Sequence, residues 1–388
     1  MFAQRWRWPA AAIAFLLMAL APSGGGAQPW VSADAAVLVD ADSGQVLYDR
    51  AGGEWRDPAS TTKMMTALLI IESGRLDEMV EVSSRAASAP GSAMGLRRGD
   101  RLLLVDLLKG ILICSGNDAA VAAAEHLAGS EEHFVELMNQ RARELRLLAT
   151  HYRNPHGLTA SGHKTTARDL AALARYCLRH PLFRHVVSLR EAVVEVCDRR
   201  GTPRQIALST TNRLLGMGYD VDGVKTGTTY AAGRCLVASL WRGDRRLVAV
   251  VLHSNDRWGD ALRLFDYGCE EFWMETLLHG GEIAGSLPLA NGLKPAVAVV
   301  TADGVRVARR GDVSPENPFS VVIQTTQGIV APVAKGQEVG WLVARDQDGC
   351  VLKVRLLAAE TVGRDTLLGR LLLYLLPAVK ALARRGVG

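Results

Sequence analysis

No stretch of this sequence is both uncharged and apolar for the ~20 residues that a bilayer-crossing helix needs. Paired cysteine spacings are missing as well. Cys114, Cys177, Cys197, Cys235, Cys269 and Cys350 are scattered without a CxxC. Bridges outside the cell remain open to them, but mostly free, buried thiols are expected. The nine histidines include no HExxH or comparable pair on one helix face; His126 and His133, seven apart beside acids, read as a solvated surface. Neither a metal nor a cofactor is expected. A charge excess is also missing from the body. Residues 1–27 contribute +2 and residues 361–388 contribute +4 to the net +5, leaving −1 for everything between. That placement argues for membrane contact and against nucleic acid.

The two basic ends have different forms. Residues 1–27 read as a secretory signal, with Arg5 and Arg7, an apolar run from about Pro9 to Ala21, and a cleavage position after Ala27; an uncleaved anchor is the alternative. In the segment 361–388, Arg370, Pro377, Lys380 and Arg384 fall on one side at helical spacing and most leucines on the other. This is the pattern of an interfacial amphipathic helix drawn to anionic lipid, with a helix packed on the body as the alternative. The expected location is the outer face of the cytoplasmic membrane, peripherally attached.

Between the ends, the chain is organised around Asp57-Pro58-Ala59-Ser60-Thr61-Thr62-Lys63, which runs into the apolar stretch 64–71. Asp57 is expected to cap a helix and Pro58 to open it. Ser60 then lies in the first turn, where backbone N–H groups lack intrahelical partners, and Lys63 projects from the same face. A buried lysine can act as base, and first-turn N–H groups can hold an oxyanion. Alone, the pattern equally fits a capped core helix.

Its partners come later. Residues 102–127 are helical and apolar but broken by Cys114-Ser115-Gly116-Asn117-Asp118, which puts Ser115 and Asn117 on a helix–helix turn. Lys225-Thr226-Gly227-Thr228 belongs to a strand leading into two further strands, 235–241 and 246–253. Gly227 there signals close approach by a ligand or another backbone. Strands are also expected at 35–40 and 45–48 as a hairpin and from about Val186, helices at 131–149, 165–180 and 256–278, and a turn at 154–157. Residues 294–360 alternate as a small all-β unit without visible chemistry.

Ser-x-x-Lys, Ser-x-Asn and Lys-Thr-Gly, in that order, form the signature set of penicillin-recognising serine enzymes. With Asn154-Pro155-His156-Gly157-Leu158, Asp222–Thr229 and the stretch 331–340, the chain resembles the low-molecular-mass penicillin-binding proteins of the D-alanyl-D-alanine carboxypeptidase type over nearly its whole length. The resemblance implies an α/β (α+β) transpeptidase/β-lactamase-like domain, an antiparallel sheet flanked by helices, plus a small all-β sandwich. It divides the chain into a signal (1–27), a peptidase domain (28–282), a β domain (283–360) and an anchor helix (361–388). It implies that Ser60 attacks the D-Ala-D-Ala bond of a peptidoglycan stem pentapeptide, that Lys63 is the base, and that Ser115 relays the proton. Asn117, Lys225, Thr226, Gly227, Thr228 and Arg257 would bind substrate, with the N–H groups of Ser60 and Thr228 holding the oxyanion. β-Lactams would acylate the same serine. Thr228 stands where relatives often carry His or Tyr, which leaves only its main chain as a secure contact. Class A β-lactamases share the triple but use a glutamate for deacylation, and no Glu-x-x-Leu-Asn lies between Asn117 and Lys225. A D,D-endopeptidase or transpeptidase and a non-catalytic wall-binding protein are the other readings.

Overall fold

The structure, a computed structural model, describes residues 28–311, 320–325, 328–345 and 351–367. The expected signal segment and residues 368–388 of the expected anchor helix lie outside the described residues.

A five-stranded antiparallel sheet forms the centre. Val46–Arg50 lies at one edge, followed by Ala35–Asp40, Arg245–Ser254, Gly233–Arg242 and, at the other edge, Val221–Thr229. The expected hairpin and three-stranded meander are both present. Side chains alternate along each strand, and both faces are apolar. Ala35, Val37 and Val39 enter one core with Val248, Val250 and Leu252. Ala36 and Leu38 enter a second with Leu247, Ala249 and Val251. Helices cover both faces, because a sheet apolar on both sides must bury both. Lys63–Glu72, Leu104–Leu112, Asn117–Ala128, Glu131–Glu144 and Ala167–Cys177 surround the first core; Arg257–Glu270 closes the second.

Met79–Glu81, Arg101–Leu103, Glu191–Cys197 and Pro203–Ser209 form a separate four-stranded sheet, and a C-terminal β unit holds a six-stranded sheet around its own core of Leu287, Val297, Val299, Leu342 and Leu356. The α+β domain with a C-terminal all-β unit is the expected fold class. Five cysteines among the described residues are free; Cys177 and Cys235 are buried as expected, whereas Cys197 is exposed.

Three local expectations need correction. The helix expected over 256–278 ends at Glu270, and Phe272–Leu278 is a strand paired with Val305–Arg310. Long-range backbone pairing outweighs local helical character there. The strand expected from about Val186 begins at Glu191, because Pro181 opens a helix, Pro181–Ser188, whose Phe183, Val186 and Val187 face the core. Finally, Asp57 caps nothing: a 3-10 turn, Ala59–Thr62, precedes the helix without a side-chain cap, and the Asp57 carboxylate pairs instead with Lys164 at 3.0 Å.

Candidate active site

Ser60 sits on that 3-10 turn, half-buried between fully buried neighbours, and Lys63 opens the following helix. Ala59, just before it, has a left-handed φ of +48°, a conformation that costs a residue with a Cβ. Two glycines press backbone against this turn. A Cβ on Gly157 would lie 1.8 Å from the Ala59 carbonyl oxygen, and a Cβ on Gly227 2.9 Å from the Ser60 amide nitrogen. The close approach expected at Gly227 is therefore to the backbone that carries Ser60.

Lys63 is fully buried, and its ammonium donates to three oxygens: Ser60 Oγ (3.1 Å), Asn117 Oδ1 (2.6 Å) and the His156 carbonyl (2.9 Å). Burial first, and the nearby Lys225 charge second, hold this ammonium well below the ordinary lysine range. Once it loses a proton, two N–H bonds satisfy Asn117 and His156, and the lone pair is left facing Ser60. That arrangement suits a base aimed at a hydroxyl.

The turn bearing Ser115 and Asn117 links helices Leu104–Leu112 and Asn117–Ala128, as its sequence indicates. Asn117 Nδ2 donates to the Pro90 carbonyl (2.5 Å), so one amide is bound on both ends. Ser115 has φ +64° and a buried hydroxyl without a hydrogen-bond partner among the described residues. Cys114 donates to the Gly110 carbonyl at 3.1 Å, and burial pushes its thiol up, away from the thiolate form.

Lys225, Thr226, Gly227 and Thr228 lie on the edge strand Val221–Thr229. Lys225 is buried, donates to the Thr226 carbonyl (3.1 Å), and is pulled down to about 7 mainly by burial. The Thr226 hydroxyl bonds that of Thr211 (2.6 Å). Arg257 opens the helix Arg257–Glu270, stacks on Trp258 and donates to the Gly227 carbonyl (3.0 Å) and Thr228 Oγ1 (2.9 Å). It braces the strand end beside Ser60.

Three supports were not legible in the sequence. Asp118, buried, accepts N–H bonds from Met94 (2.8 Å), Gly95 (2.9 Å), Leu96 (3.0 Å) and Ala119 (2.9 Å), which fixes the loop that also receives Asn117. His156 contributes its carbonyl rather than its ring. His163 accepts the Arg153 N–H at Nδ1 (3.2 Å), which leaves Nε2–H to donate to Thr62 (2.9 Å).

Comparison with known proteins points to one family. Residues 24–256 match the family model described as D-alanyl-D-alanine carboxypeptidase, and residues 272–364 match that of the penicillin-binding protein 5 C-terminal domain. The chain is 35% identical over 337 residues to D-alanyl-D-alanine carboxypeptidase DacF of Bacillus subtilis, covering 84% of this chain and 85% of the relative. It is 34% identical over 359 residues to D-alanyl-D-alanine carboxypeptidase DacD of Salmonella typhimurium, covering 88% and 90%. Among solved structures it is similar to penicillin binding protein 5 from Haemophilus influenzae, with a TM-score of 0.72 and 27% identity over 88% of this chain and 100% of that one.

Proposed function

The chain belongs to the D-alanyl-D-alanine carboxypeptidase family, and from that premise we propose that Ser60 is the nucleophile with which it removes the terminal D-alanine of peptidoglycan stem pentapeptides. The observation that carries the assignment is the Lys63 ammonium, buried, depressed and held by Asn117 and the His156 carbonyl so that its third position meets Ser60 Oγ.

In this reading Lys63, neutral, takes the Ser60 proton as Oγ attacks the carbonyl carbon between the two D-alanines. The oxyanion is held by the N–H groups of Ser60 and Thr228; the close approach of Gly227, which precedes Thr228, to the Ser60 amide nitrogen supports that pairing. The C–N bond breaks as the proton passes from Lys63 through the Ser115 hydroxyl to the departing amine. Water then attacks the acyl-enzyme, giving a proton to Lys63, which passes it to Ser60 Oγ as the acyl–oxygen bond breaks and the tetrapeptide leaves. Asn117 offers its second Nδ2–H to the substrate backbone, Thr226 and Gly227 pair with it along the strand edge, and Lys225 with Arg257 supplies positive potential for the terminal carboxylate. A β-lactam acylates Ser60 by the same attack.

Export through residues 1–27, a peptidase unit over 28–282, a β unit over 283–360 and attachment of the amphipathic segment 361–388 to the outer face of the cytoplasmic membrane complete the proposal. Among the described residues no helix is long and apolar enough to cross a membrane; the basic, leucine-rich tail supports surface attachment.

The test is D-alanine release from a stem pentapeptide, compared with a Ser60→Ala control. Release lost in the control supports the nucleophile. A folded protein that releases nothing, or a control as active as the parent, overturns it.

A further inference from the structure

The catalytic unit and the β unit meet along a cleft of about 630 Å³ that the chemistry above does not use. Arg179, Arg184 and Arg246 line it from one side; Arg306, Lys353 and Arg355 line it from the other. Two of these six are neutralised, Arg246 by Asp222 and Arg306 by Asp244 at 2.7 Å. The other four make no ion pair with a described carboxylate. Against them stand only two further lining carboxylates, Asp42 and Asp303. Arg184 donates to the Leu178 carbonyl at 2.8 Å, which turns its guanidinium rather than discharging it.

Two tryptophans fix cations on opposite walls. The Arg246 guanidinium lies 4.4 Å from the Trp241 ring centroid, and the Lys353 ammonium lies 4.6 Å from that of Trp341. Like charges gathered in a recess repel one another, and the Arg184 charge acts against the protonated form of Arg246, after burial. A surface with no ligand for this cluster would gain by dispersing it. The composition narrows the ligand. Guanidinium groups match the paired oxygens of an oxyanion, and the positive excess is larger than one carboxylate neutralises.

We propose that this cleft between the two units binds a phosphate-bearing ligand, a soluble phosphate ester or phosphodiester segment, held by Arg179, Arg184, Lys353 and Arg355. The recess admits a group that reaches in from solvent, whereas a flat bilayer surface would meet only its rim. Occupancy ties the β unit to the catalytic unit, since the ligand is gripped from both.

The site is independent of the Ser60 chemistry, so its test is a binding titration on the intact chain at about 0.15 M salt, where surface attraction is screened beyond ~8 Å. The probes are pyrophosphate and glycerol 1-phosphate, followed by calorimetry and tryptophan fluorescence, with acetate and phosphatidylglycerol vesicles alongside. Both phosphate probes are expected to bind, equally well to Ser60→Ala and Lys225→Ala protein. The pair Arg179→Glu with Arg355→Glu, both exposed and so compatible with folding, is expected to weaken binding at least about tenfold, and the milder Arg179→Gln with Arg355→Gln in the same direction. A charge-matched pair outside the cleft, Arg199→Glu with Arg200→Glu, should leave it unchanged. No binding of either phosphate, loss in Lys225→Ala, equal weakening by the outside pair, acetate binding as tightly, or binding to vesicles alone would each overturn the assignment.

Discussion

Replacing Gly227 by alanine tests the link between strand geometry and the proposed oxyanion site. The added Cβ would stand 2.9 Å from the Ser60 amide nitrogen, 2.9 Å from the Ala59 Cβ and 3.2 Å from the Pro58 carbonyl oxygen. Ordinary contact begins near 3.4 Å, so the strand and the Ser60 turn must part by about half an ångström. All three neighbours are backbone or Cβ atoms that no rotamer change removes. Gly227 itself is not among the glycines with positive φ, so alanine meets no backbone penalty and the damage is confined to this contact. Half an ångström takes an N–H donor from the 2.7–3.1 Å range that stabilises an oxyanion to its edge. The expected result is a loss of about 10²-fold in Ser60 acylation by a fluorescent penicillin and in D-alanine release. The stability cost should be about 1–2 kcal/mol, read from a melting curve. Gly53→Ala, whose Cβ would meet only the Arg168 side chain at 3.7 Å, is the control and should change neither. Acylation of the Gly227→Ala protein within threefold of the parent would refute the argument that this strand positions the oxyanion donors.

Three further perturbations follow from the same geometry. Acylation should rise with pH as Lys63 loses its proton at a value well below the ordinary lysine range, and fall again as Lys225, pulled down to about 7, is neutralised. Lys225→Met should abolish the alkaline fall and move the acid limb to higher pH, since one cause of the Lys63 depression is gone; an unmoved acid limb would contradict the coupling. Asp118→Ala leaves the N–H groups of Met94, Gly95 and Leu96 without their acceptor, so a loss of about 3 kcal/mol or more is expected in denaturant titrations, with weaker penicillin acylation as the loop releases Asn117. His163 is depressed from 6.5 to about 4 by burial, so the unfolded chain binds more protons below 6.5 and stability falls as pH drops. Between pH 6.5 and 4 the loss from this group is about 3 kcal/mol, and His163→Gln should show a visibly flatter melting temperature against pH.

The parts of the fold visible in the sequence were those set by local pattern. The hairpin around residues 40–45, the meander through Lys225, and the broken helix at Ser115 each rest on side-chain period or on Gly, Asn and Asp chemistry within a few residues. The three motifs were readable because the chemistry needs particular side chains at fixed short spacings. What escaped was whatever depends on a distant backbone. The His156 carbonyl reaches Lys63 across 93 positions and Asp118 reaches Met94 across 24, and neither partner is marked by its own residue type. Asp57 illustrates the converse. It is a good capping residue followed by proline, yet a lysine 107 positions away takes its carboxylate, and the helix starts instead through a 3-10 turn.

That uncapped, bent start has a physical consequence for the site. Non-glycine residues with positive φ occur at Ala59 and at Ser115, one beside the proposed nucleophile and the other at the proposed proton relay. Two lysines are buried there with depressed proton affinity, and the buried Ser115 hydroxyl has no hydrogen-bond partner among the described residues. Each of these costs stability, about 1–3 kcal/mol for a strained backbone position or an unmade buried hydrogen bond. They persist because the surroundings over-determine them. Gly157 and Gly227 clamp the Ser60 turn from two sides, Asp118 fastens the loop behind Asn117, and two apolar cores hold the sheet on both faces. Relaxing the strain would readmit water to Lys63 and ease the burial that holds its proton affinity below the ordinary lysine range. The same contacts that keep the site costly therefore keep that affinity low.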